Sequence, residues 1–67
     1  MKRHDNKVYF EDCRAIAQSV LGVLVHIDGV DRWVPQSQID DDSEIWRNGD
    51  EGTLVVSRWW AEKAGLV

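Results

Sequence analysis

The apolar positions of the chain change period along its length. Val23-Leu24-Val25-His26-Ile27 alternates in a β-branched context, Asp28-Gly29 is a two-residue turn signal, and Val30-Asp31-Arg32-Trp33-Val34 returns as a partner strand, so this stretch predicts a hairpin. Pro35 ends or edges the second strand because it has no N–H to give a ladder. Beyond the turn residues Asn48-Gly49-Asp50-Glu51-Gly52, the run Thr53-Leu54-Val55-Val56 predicts a short strand. Ser57 is then placed as a helix N-cap, with Arg58 to Ala64 behind it and Gly65 as a C-terminal stop. Such a helix is about two turns long, too short to persist alone, so it has to dock through Trp59, Trp60 or both. The two rings point about 100° apart on a helix, which leaves one of them at least partly exposed.

Glu11 to Leu21 supports two readings. Ile16, Val20 and Leu24 share the spacing of one helical face, with Asp12 able to cap the first turn. Cys13, Ala15 and Ala17 equally suit one face of a strand running from Lys7 to Gln18.

Composition narrows what these elements can build. Residues 1–67 make one small domain, near the size at which a single core only just outweighs chain entropy, which leaves no room for a cofactor fold or a deep cleft. A hydrophobic content of 43% with four tryptophans is that of a folded chain rather than a disordered one. Cys13 is the sole cysteine, so no internal disulfide and no CxxC or zinc-knuckle site is available. The longest apolar run, Val20 to Val25, falls far short of the about 20 residues of a membrane span. The expected setting is therefore the reducing cytoplasm, with no membrane contact.

Charge is concentrated in the middle of the chain. Asp28, Asp31, Asp40, Asp41, Asp42, Glu44, Asp50 and Glu51 stand against Arg32 and Arg47, eight acids to two bases and a local balance of −6. The flanking segments are each slightly basic, and no basic stripe exists to neutralise phosphates, which argues against direct nucleic-acid binding.

The run Asp40-Asp41-Asp42-Ser43-Glu44 lacks the alternating acids, central glycine and terminal glutamate of a calcium loop. Its simplest local reading is a solvated loop whose first acid caps a helical turn through Ser43-Glu44-Ile45-Trp46. His4, His26 and Cys13 match no zinc spacing, so no metal and no cofactor is expected. His26 is expected to face solvent from its strand, and Cys13 to be small and buried. There is no nucleophile elbow and no phosphate loop, and paired-carboxylate catalysis, which the residue types allow, needs a cleft that a chain this short rarely builds, so a protein without catalytic residues is expected. Trp33 and one of Trp59 and Trp60 are expected in the core. Tryptophan left exposed beside acids has the character of a binding hot spot.

Read together, "LVHIDGVDRWVPQSQIDDDSEIW" and "GTLVVSRWWAEKAGL" resemble a group of short phage and prophage proteins and domain tails. That group has an isoleucine-aspartate-glycine turn, a tryptophan-isoleucine/valine-proline-x-serine-glutamine-isoleucine strand, an acidic loop, a short strand and a tryptophan-x-alanine-glutamate-lysine-x-glycine-leucine helix. The resemblance covers roughly residues 17–66 and implies a strand rather than a helix for Lys7 to Gln18, although Ser19-Val20-Leu21-Gly22 is unusually apolar for the turn that follows. In size, charge and implied genome context the chain is also similar to small acidic anti-CRISPR proteins, several of which present carboxylates where a complex expects phosphates.

The expectation is an α+β domain: an antiparallel meander of three or four strands closed by the C-terminal helix. Its expected role is that of a phage-derived, non-enzymatic inhibitor that docks on a bacterial nucleic-acid-binding protein or ribonucleoprotein complex in the host cytoplasm. Asp40, Asp41, Asp42, Glu44, Asp50 and Glu51 would form the partner-binding face, with Trp46 as its apolar anchor. Arg47 departs from a pure mimic. The alternatives are an accessory protein-interaction module of phage recombination or replication that works through its tryptophans, and a structural domain of the kind fused to larger enzymes.

Overall fold

The computed structural model describes residues 6–67; Lys2, Arg3, His4 and Asp5 lie outside the described residues. Four antiparallel strands, β1 (Lys7–Gln18), β2 (Gly22–Ile27), β3 (Val30–Pro35) and β4 (Glu51–Ser57), are followed by the helix α1 (Arg58–Lys63). The α+β architecture stands in this coarse form, mostly strand with a very short helix.

The topology differs from a simple meander. β1, β2 and β3 run as neighbours, but β4 pairs with β1, giving the order β3-β2-β1-β4 and a Greek-key path. Residues 36–50 make the crossing. Pro35 closes β3, a 3₁₀ turn (Gln36–Gln38) redirects the chain, and Ile39 bridges to Val56, so Gln36 to Ile39 does not continue the strand that the resemblance implied. The crossing is driven by burial: Ile39 is almost fully buried and Ile45 completely so, and both reach the core only if this segment passes over one sheet face.

The β2–β3 hairpin forms as expected. Ile27 pairs with Val30 across Asp28 (φ 50°) and Gly29 (φ 84°), two positive φ values in succession, which is the type I′ geometry that suits strand twist. β1 occupies the full span Lys7–Gln18, and two bulges explain why its pattern reads ambiguously. Between Phe10 and Cys13 the register slips at Asp12, whose φ of 60° a short polar side chain tolerates. The slip lets both Phe10 and Cys13 face the core at a spacing of three, which imitates a helix in sequence. At Ile16 a second slip leaves that side chain exposed.

Cross-strand register therefore divides the sheet into two unlike faces. One carries Phe10, Cys13, Ala15, Val23, Val25, Ile27, Val34, Leu54 and Val56, and is covered by residues 36–50 and by α1. The other is largely open: it carries Tyr9, Arg14, Leu24, His26, Asp31 and Trp33, all exposed or only half-buried, with Val55 of β4, opposite Tyr9, as its one buried residue among these register partners. Trp33 lies opposite Leu24 on this open face and is 53% exposed, so it is not the core residue the sequence predicts.

α1 is held at both ends. Ser57 Oγ accepts from Trp60 N at 3.1 Å, and Leu66 N→Ala61 O with Gly65 N→Glu62 O closes the helix in a Schellman motif at Gly65 (φ 77°). Trp60, Ala61 and Leu66 pack on the core, whereas Trp59 is 61% exposed beneath the Lys63 ammonium, 5.2 Å from its ring centroid. No helix among the described residues is long and apolar enough to cross a membrane.

Candidate functional site

The acidic segment takes its shape from an edge that it covers. Asp40 N donates to Val55 O and Glu44 N to Thr53 O, each at 2.8 Å, so residues 39–44 lie along the outer edge of β4 and satisfy it. The expected helical turn over Ser43 to Trp46 does not form. Ser43 is buried instead, and its hydroxyl accepts from Ile45 N (3.1 Å) and Val55 N (3.2 Å) while donating to Ile45 O. That one side chain ties loop, strand and core together, because two buried N–H groups would otherwise lack an acceptor.

Each predicted site residue can now be located. Asp40 Oδ2 accepts from Asp42 N at 2.9 Å, and Lys7 Nζ sits 3.3 Å from Asp40 and 3.2 Å from Asp42. Glu44 Oε1 accepts from Thr53 N at 2.7 Å. Asp50 Oδ2 accepts from Trp46 N at 2.8 Å and Arg47 N at 3.0 Å. Glu51 pairs with Arg14 at 3.2 Å. Trp46 is half-buried, and its Nε1 donates to Ser43 O at 2.9 Å, so it anchors the loop to its own core. Asp41, Asp42, Glu44 and Glu51 face solvent, while Asp40 and Asp50 are partly covered.

At Asp40 and Asp50 the hydrogen bonds favour ionisation. The Asp42 amide holds the Asp40 carboxyl below its ordinary value, aided by Lys7, and the Trp46 and Arg47 amides do the same for Asp50. Lys7 is raised by Asp42 and then Asp40. A carboxyl depressed in the fold takes up its proton more readily in the unfolded chain. Its stabilisation is thus complete above the unfolded pKa of about 3.9 and is lost as pH falls through the lower folded value. The melting temperature is expected to drop below about pH 4, and Asp50→Asn should flatten that drop. Parallel acid profiles for variant and wild type in a pH series of thermal melts would refute the capping role of Asp50.

The open face carries a second polar group. Asp31, His26, Arg14 and Glu51 stand in register across β3, β2, β1 and β4, with His26 Nδ1 2.6 Å from Asp31 Oδ1. Cys13 is buried below it, its Sγ donating to Phe10 O at 3.3 Å, and burial pushes its thiol up, which makes it a poor nucleophile. Among the described residues no group of His, Cys, Asp or Glu is placed to hold a metal ion.

Sequence reasoning missed Ser43 as the organiser of the acidic loop, Lys7 as a counter-ion and Trp33 as a surface residue. Two signals were available: a serine inside an acid run, and the apolar turn Ser19 to Gly22, where Val20 and Leu21 are 92% and 79% exposed. The chain matches no protein-family model, no curated protein and no solved structure.

Proposed function

We propose that the protein is a non-enzymatic binding protein of phage origin that uses its β4 edge to occupy a basic, nucleic-acid-binding surface of a bacterial complex. The observation that carries this reading is the alignment of the acidic segment with β4. Ile39 lies opposite Val56, and Glu51 is five residues away along the strand, about 17 Å at the usual rise. Asp40, Asp41, Asp42, Glu44, Asp50 and Glu51 lie along that length, roughly one carboxylate per 3 Å, against about 3.4 Å per phosphate along one strand of B-DNA. Lys7, Arg14 and Arg47 reduce six negative charges to a balance of −3, so the edge has about half the charge density of a nucleic-acid strand.

The bonds that hold Asp40, Glu44 and Asp50 fix their positions, and an ordered row loses less side-chain entropy on docking than a mobile one. The acids whose carboxylates hold neither a backbone hydrogen bond nor Lys7 are Asp41 and Glu51; Asp42 pairs with Lys7. Asp41→Lys with Glu51→Lys is expected to leave the melting temperature within a few degrees while weakening partner capture at least about tenfold. Capture should also weaken steeply with salt and exclude nucleic acid from the same partner. Ternary complexes in a gel-shift titration would overturn the competition mechanism.

A second reading, an accessory protein-interaction module of phage recombination or replication, draws on the exposed Trp33 and Trp59. Under it, alanine at those tryptophans abolishes capture and the acid reversals leave it unchanged.

A further inference from the structure

The two edges of the sheet are treated differently. Residues 39–44 cover β4, but β3 is the opposite edge, and among the described residues no strand lies outside it. Ile27 and Val30 flank a two-residue turn and so exchange hydrogen bonds, and Gln36 N→Leu21 O continues the same alternation at 2.8 Å. The main-chain groups of Val30, Arg32 and Val34 therefore face β2. Those of Asp31 and Trp33 face outward with the Pro35 carbonyl, a row that another strand can bond.

Exposed apolar groups gather at this edge. Trp33 and Leu21, both exposed, line a shallow depression there with Gly22, Val34 and Pro35. On the open face Ala17, Leu24 and Trp33 share one register row that ends at the edge.

We infer that β3 is the self-association edge of this protein, its occupant being β3 of a second copy, paired antiparallel about a twofold axis that passes at Trp33. The charges select both the occupant and the register. A twofold normal to the sheet sets residues of like face opposite one another, so the axis falls on a single residue that meets its own copy. An axis at Asp31 opposes two carboxylates, and one at Arg32 opposes two guanidiniums. An axis at Val34 leaves Asp31 outside the paired stretch and bonds Trp33 N to the Pro35 carbonyl alone. With the axis at Trp33, the two Trp33 residues exchange both main-chain hydrogen bonds, and each Asp31 N–H meets the other copy's Pro35 carbonyl. Arg32 then lies opposite Val34, so no like charges meet. At each Asp31–Pro35 pair the Pro35 carbonyl accepts but Pro35 has no N–H to return, so the Asp31 carbonyl is left to water, while the apolar row continues through Leu24, Trp33 and their copies across an eight-stranded sheet. Because β4 lies at the far edge, this pairing leaves the acidic row free and does not rest on the proposed function.

The test is sedimentation velocity on the intact chain from about 1 to about 500 μM, where mass action converts monomer to dimer. The wild type is expected to shift to dimer, and Trp33→Lys, which sets two ammonium groups on the axis, to need at least about tenfold higher concentration. Circular dichroism of the variant should match the wild type, since this side chain is exposed. Register is read separately by Trp33→Cys and Arg32→Cys treated with oxidised glutathione, with Cys13 buried and out of competition. The Trp33 cysteines should link across the axis at a Cα separation of about 5.5 Å, and the Arg32 cysteines should not. A wild type that stays monomeric, a Trp33→Lys variant that associates as the wild type does, or preferential linkage at residue 32 would each overturn the inference.

Discussion

Ile45→Ala is expected to lower the unfolding free energy by about 2–5 kcal/mol, the usual loss when a buried aliphatic side chain is truncated to alanine. Ile45 is fully buried and, with Ile39, carries the acidic segment into the core. A domain of 67 residues commands a total of about 3–10 kcal/mol at typical stabilities per residue, so the variant should be partly unfolded or close to it. Urea titration followed by tryptophan fluorescence would read this as a large fall in midpoint with little change in slope. The consequence extends to the proposed site, because Asp40, Glu44 and Asp50 owe their positions to a loop that Ile45 pins. A loss below about 0.5 kcal/mol would mean that residues 36–50 do not dock, and the aligned carboxylate row would go with them.

Trp60→Ala should cost about 2–4 kcal/mol, somewhat less than a fully buried tryptophan because Trp60 is only partly covered. Trp59→Ala should cost less than about 1 kcal/mol, the scale of an exposed cation–π contact, since that ring is mostly exposed and carries the Lys63 ammonium over it. Thermal melts of the two variants ought therefore to differ by many degrees, with Trp59→Ala close to the wild type. Equal and mild effects would show that α1 does not close the core.

Much of the local structure was legible because it depends on neighbours in sequence. Asp28-Gly29 between alternating apolar residues specifies a tight hairpin, since few other residue pairs adopt two positive φ values cheaply. Ser57 and Gly65 bracket the helix for equally local reasons, one supplying an oxygen for a free amide and the other a left-handed backbone. The acidic block, its position in the chain and the solvent-facing His26 could also be read directly. β1 was harder: Phe10, Cys13 and Ala15 face one side only because a bulge absorbs a residue between the first two, and a bulge is stabilised by partners on other strands.

Composition and alternation alone determined that this chain makes a small α+β domain with a β2–β3 hairpin, a capped C-terminal helix and an acidic middle. Tertiary structure decided that β4 returns to β1, that Ser43 is buried while Trp33 is exposed, and that the acids lie along a sheet edge held by backbone amides and Lys7. The reason is the range of the forces involved. Turn and cap preferences act over two to four neighbouring residues, whereas the fate of a tryptophan or a carboxylate depends on which distant strand comes to lie against it, and that is set by the burial of the whole core at once.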